Sequence, residues 1–132
     1  MNGHTFRMFY EDYARCKLAE HLGVDVDKII HLNKINAVSP YDLQHKETKF
    51  DVKFSSPCVV VKNRSAIWDF SLRKRHSGKR CGQKQECDFF LLVGMKNAIP
   101  QSIYLISSDC CPTNHIRIPL TKNSKYEKYL IF

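Results

Sequence analysis

The sequence predicts an α/β domain in which a mixed β-sheet carries a long N-terminal helix packed on it. Three observations carry that prediction. Residues 5–22, "TFRMFYEDYARCKLAEHL", hold neither Gly nor Pro and run into Gly23, the residue that most readily closes a helix in the left-handed conformation. Residues 39–56, "SPYDLQHKETKFDVKFSS", alternate apolar and polar side chains with the period of two that strands require. Residues 88–95, "DFFLLVGM", are apolar almost without a break, as expected of a central strand covered on both faces.

The elements follow in order. Thr5 is placed to cap the helix. Its apolar residues split into two groups: Phe6, Phe9, Tyr10 and Tyr13 on one side, and Ala14, Leu18 and Leu22 on a flank about a quarter-turn away. Glu11 falls in line with that flank, where a helix-edge carboxylate ordinarily snorkels to water. After Gly23 come two weakly patterned strands, "IIHL" and "INAV", then the strand pair of residues 39–56. "SAIWDFSLRK" sets Trp68, Phe70 and Leu72 opposite Ile67; "SIYLIS" and "HIRIPL" are further strands, and "SKYEKYLIF" is a short closing helix or an extended tail. No linker, repeat or low-complexity tract divides the chain, so residues 1–132 form one domain around one layered core.

Charge and cysteine usage narrow the class. Twenty-one Lys and Arg against thirteen Asp and Glu leave a net charge of +8, which suits a polyanionic partner such as nucleic acid. No run approaches the roughly 20 apolar residues that span a bilayer, and the N-terminus lacks the build of a signal peptide. No membrane partner and an intracellular, cytoplasmic setting are therefore expected, with the six cysteines reduced.

The stretch at 39–56 is the most informative. If it turns at Lys46 and Glu47, position 42 lies opposite 51, 43 opposite 50 and 44 opposite 49. Tyr41, Leu43, Phe50, Val52 and Phe54 then share a core face, and Asp42, Gln44, Lys49, Asp51 and Lys53 a polar one. A slip by one residue would bury the charges. Asp42 and Asp51 become cross-strand neighbours about 5 Å apart, which like charges disfavour. A divalent ion between them relieves this, and Mg²⁺ takes one or two carboxylates together with water and phosphate. The other reading is a plain solvent face whose acids are balanced by Lys49 and Lys53. An acid-x-Lys triplet alone carries little, since Glu47-Thr48-Lys49 repeats it at the turn with no buried neighbours.

Pro40-Tyr41-Asp42 followed by Asp51-Val52-Lys53 resembles the signature of the PD-(D/E)XK nuclease superfamily, and "YEDYARCKLAEHLG" resembles the helix from which members supply a further Glu. Trp68 to Leu72 and Cys87 to Val93 are similar to core strands of its small homing and restriction-type endonucleases. The resemblance implies a restriction-endonuclease-like core, Asp42, Asp51, Lys53 and Glu11 as catalytic residues, and Mg²⁺ or Mn²⁺ held by Asp42, Asp51, the Val52 carbonyl and Glu11. It implies hydrolysis of DNA to a 5′-phosphate and a 3′-hydroxyl. The sequence departs from the pattern in three places: Tyr41 separates Pro40 from Asp42, Asp stands where Glu is usual before Val52, and residues 57–87 show strand patterning and a basic loop where members carry a helix.

Arg73, Lys74, Arg75, Lys79, Arg80 and Lys84 crowd one segment and are expected to contact DNA phosphates, with Gln83, Gln85 or Asn63 as base contacts. Cutting both strands with one site per chain calls for a symmetric homodimer or sequential nicking. The rival is a non-catalytic nucleic-acid-binding module, zinc-stabilised through Cys81, Cys87, Cys110 or Cys111 and His115, although these spacings are not customary for zinc.

Overall fold

The computed structural model describes residues 3–32, 42–62, 64–76, 79–82, 87–112, 114–121 and 124–132, with the side chains of 3–7 and 73–82 outside the description. The expected strand over "INAV" lies outside these residues, as do Tyr41, Asn63, Gln83, Lys84 and Gln85.

Helix α1 spans Gly3–Leu22. Gly23 follows at φ 70°, the left-handed position that glycine takes without strain. At 20 residues it runs about 30 Å. The strands are β1 (Ile29–His31), β2 (Leu43–His45), β3 (Thr48–Ser55), β4 (Pro57–Cys58), β5 (Ile67–Ser71), β6 (Arg73–His76), β7 (Lys79–Gly82), β8 (Phe89–Lys96), β9 (Ile99–Ser107) and β10 (His115–Pro119). A five-stranded sheet has the order β1-β2-β3-β8-β9, and a second sheet the order β10-β5-β4. Within the first, β3 and β8 run parallel while its other neighbours are antiparallel, so the sheet is mixed.

The β2–β3 hairpin has the expected register, with Leu43 opposite Phe50, Gln44 opposite Lys49 and His45 opposite Thr48. Lys46 occupies the turn at φ 55°. Two-residue connections require such a conformation because only they match the twist of the flanking strands. The β8–β9 hairpin closes in the same way through Asn97 and Ala98, both at positive φ.

Both faces of the central sheet are covered. On one, Ala14, Leu18 and Ala19 of α1 pack against Ile29, Leu43, Phe50, Val52, Leu91 and Val93. The stripe is therefore Ala14, Leu18 and Ala19, and Leu22 and Phe9 are exposed. On the other, Phe90, Leu92, Tyr104 and Ile106 meet Trp68, Phe70, Ile116 and Ile118 of the second sheet. Alternation along β8 sends successive residues to opposite cores, which explains an apolar run with no polar face.

This layering corrects the reading of the hairpin. Asp51 and Lys53 pair in register with Phe90 and Leu92 and so share their face, which the second sheet covers. The face expected to meet solvent is in fact buried at Asp42 and Asp51 and half-buried at Gln44, Lys49 and Lys53. Residues 57–87 contain, among those described, strands and no helix, so the parallel link from β3 to β8 passes through β4 and β5. The basic segment is not a loop but a two-stranded ribbon, β6 against β7, with Arg75 opposite Arg80. The C-terminal segment is both things expected of it: a 3₁₀ turn at Glu127–Tyr129, then extended chain that exchanges hydrogen bonds with Ile103.

The close approach of the two sheets depends on Gly94. A Cβ there would stand 2.5 Å from Cδ2 of the buried Trp68 ring, whose Nε1 donates to the Met95 carbonyl at 2.9 Å. Gly94→Ala is therefore expected to destabilise the fold by about 1–3 kcal/mol through overpacking, measured as a lowered urea midpoint. An unchanged midpoint would show that the indole shifts freely.

Candidate active site

Three elements meet at the acids expected to be functional. Glu11 belongs to α1, Asp42 leads into β2, and Asp51 and Lys53 lie on β3. The Asp42 N–H donates to the Phe50 carbonyl at 3.0 Å, extending the hairpin ladder by one residue and bringing Asp42 beside Asp51. The Val52 N–H in turn donates to Asp42 Oδ2 at 2.8 Å. Position and side chain of Asp42 are thus both fixed by β3.

All three carboxyls are buried: Glu11 is 0%, Asp42 2% and Asp51 4% exposed. Buried acids are costly unless their charge is matched. Two basic groups serve here. Lys53 Nζ lies 3.3 Å from Asp51 Oδ2. His31, at the end of β1 and itself buried, lies with Nε2 2.8 Å from Glu11 Oε2 and Nδ1 3.1 Å from Asp12 Oδ1. A neutral imidazole donates from one nitrogen only, so both contacts are made when the ring holds two protons or a carboxyl holds one.

Asp42 is placed differently. Burial, joined by the charges of Asp51 and Glu11 and by a hydrogen bond shared with Asp51, pushes its carboxyl up to about 8, with the Val52 N–H pulling the other way. The three acids therefore sense one another as a single electrostatic cluster. Among the described residues, no three His, Cys, Asp or Glu side chains stand closely enough to enclose an ion as they are. The cluster's donors are nonetheless all oxygen, the set that suits Mg²⁺ or Mn²⁺. A carboxylate accepts up to about four contacts, so its present partners do not exhaust it.

The other candidate residues are dispersed. Arg73, Lys74 and Arg75 lie on β6, and Lys79, Arg80 and Cys81 on β7. Cys87 and Cys111 are buried in the core between the two sheets. Burial, with the nearby charges of Asp51 and Cys111, pushes the Cys87 thiol up to about 12. Cys110 is exposed, and His115 sits on the outer face of the second sheet, 3.1 Å from Asp69. The proposed zinc set is not gathered at one point among the described residues.

His31 and Asp12 escaped the reading of the sequence. The available signal was a histidine two residues after Ile29, on the inward side of an otherwise apolar strand, with Glu11-Asp12 as the acids able to meet it.

No protein-family model, curated protein or solved structure matches the chain. No helix among the described residues is long and apolar enough to cross a membrane.

The raised Asp42 value has a direct consequence for stability. The folded state keeps this proton up to about pH 8, whereas the unfolded chain releases it near 3.8. The contribution is therefore complete below pH 3.8 and is lost as pH rises through 8, at up to about 1.4 kcal/mol per pH unit. Asp42→Asn retains an acceptor for the Val52 N–H and cannot ionise. In chelator it is expected to melt above the wild type at pH 8 and alongside it at pH 4, as followed by circular dichroism. Parallel melting curves at both pH values would contradict the assignment.

Proposed function

We propose that this chain is a Mg²⁺- or Mn²⁺-dependent DNA endonuclease with a restriction-endonuclease-like core, hydrolysing phosphodiester bonds to leave a 5′-phosphate and a 3′-hydroxyl. One observation carries the reading: Glu11, Asp42 and Asp51, from three separate elements, form one buried electrostatic cluster with Lys53 beside it. Apolar residues in place of buried ionic groups are often neutral or stabilising, so stability alone is a weak reason for such a cluster.

Asp42, Asp51 and the Val52 carbonyl would hold the ion, with Glu11 completing its shell or holding a second. Bound there, a divalent ion supplies positive charge at the scissile phosphate and acidifies water. The fit is chemical: the arriving charge offsets the burial, and the repulsion from Asp51 and Glu11, that keep Asp42 protonated toward pH 8. Lys53 Nζ, held at Asp51, orients the attacking water or stabilises charge on the phosphoryl oxygens. The Val52 N–H fixes Asp42, so the strand bearing Asp51 and Lys53 also sets the first acid.

The β6–β7 ribbon, with Arg73, Lys74, Arg75, Lys79 and Arg80, supplies backbone phosphate contacts, and Lys84 follows it in the sequence. Its contribution is sequence-independent and falls with salt. One acid cluster per chain makes a homodimer the arrangement suited to cutting both strands.

In Mg²⁺, Asp51→Asn and Lys53→Ala are each expected to lower plasmid cleavage by roughly 10²–10³-fold, while duplex binding in Ca²⁺ changes less than about threefold. Mutants that cut like the wild type sink the nuclease reading. Wild-type binding with no cleavage of plasmid, duplex or branched DNA favours the non-catalytic module instead.

A further inference from the structure

We propose that His31 is a positioning residue for Glu11, fixing the helix carboxylate for divalent-ion binding at the acid cluster; this rests on the nuclease reading above. His31 lies on β1 and Glu11 on α1, so their 2.8 Å contact is a bond between two elements. The other ring nitrogen reaches Asp12, the next residue of the helix, at 3.1 Å. Consecutive helix residues project about 100° apart. One rigid ring bonded to both therefore constrains the rotation of α1 at Glu11 as well as its distance from β1.

Packing holds the rest of the helix: α1 buries Ala14, Leu18 and Ala19, with Tyr10 and Tyr13 packed beside them and the Tyr10 hydroxyl donating to the Ala98 carbonyl at 2.7 Å. At Glu11 and Asp12 the polar contacts add a circuit. Arg15 Nε donates to the Ile29 carbonyl at 2.5 Å, Arg15 Nη1 lies 3.6 Å from Asp12, and Asp12 meets the His31 ring. The circuit begins and ends on β1.

The same strand end also reaches Asp42. Leu32, directly after His31, donates its N–H to the Asp42 carbonyl at 2.8 Å. Thus the end of β1 holds Glu11 through a side chain and also meets, through backbone, the Asp42 that β3 sets in place. Ligands must be held to about 0.5 Å for an ion to bind well. Removing the partner that orients a ligand typically costs 10–100-fold in affinity.

The test is Mn²⁺ uptake by the intact protein without DNA, followed by the electron paramagnetic resonance of free Mn²⁺, with thermal melting as a check on folding. His31→Phe keeps a ring of similar size and removes both donors; it is expected to bind Mn²⁺ 10–100-fold more weakly. His31→Gln, which can still donate to Glu11, is expected to recover most of that loss. A merely structural histidine would not be rescued in this graded way. Asp12→Ala, at a half-exposed position, decides the matter should His31→Phe not fold, with roughly a 3–10-fold weakening expected. Wild-type affinity in folded His31→Phe, or in Asp12→Ala where that variant decides, overturns the positioning role and leaves the nuclease reading standing. A wild-type protein that takes up no Mn²⁺ removes both.

Discussion

A strand in the middle of a sheet that is covered on both sides has little solvent to receive its charges. β3 is such a strand, and it carries Asp51 and Lys53 at positions whose register partners, Phe90 and Leu92, lie in a core. Every polar arrangement around the candidate site answers to that constraint. Lys53 turns to Asp51, the Val52 N–H turns to Asp42, and His31 meets Glu11 from the neighbouring strand. Asp42, which accepts from the Val52 N–H and shares a hydrogen bond with Asp51, is pushed well above the usual carboxylate range by burial and by the neighbouring acids. Perturbed acids of this kind, gathered from separate elements, are what the proposed ion site rests on.

The hairpin register was legible in the sequence because period-two alternation sorts Leu43, Phe50 and Val52 from Asp42 and Asp51. The turn gave no such help, since Lys46-Glu47 is a poor two-residue connection and a longer loop fitted the sequence as well. The strand at 89–96 was legible because an unbroken apolar run has only one kind of place in a sheet. Position 23 closed the helix as its glycine suggested.

Burial of the polar face was not legible. The cover comes from Trp68, Phe70, Ile116 and Ile118, residues whose strands look like any half-buried pair until they are set against the larger sheet. The sequence also gave no means of deciding whether Glu11 reached water or His31. A helix-edge glutamate and a buried one look alike without the strand that faces them. His31 was missed because a lone histidine in a weak three-residue strand carries little pattern, and its partners are adjacent helix residues whose directions diverge. The β6–β7 ribbon shows the same limit: its charge was visible, its pairing was not.

The route from β3 to β8 through the second sheet, rather than through a helix, bears on the order in which the molecule assembles. Hairpin β2–β3 joins near neighbours such as Leu43 and Phe50, whereas the parallel pairing joins Phe50 to Phe89 across all of β4 to β7. Local hairpins close in microseconds, and distant pairings wait on loop closure. The hairpin that opposes Asp42 and Asp51 is therefore expected to form before the distant pairing that sets Asp51 beside Phe90. The energetic cost of burying Asp51 is then met late in folding, when β3 joins β8.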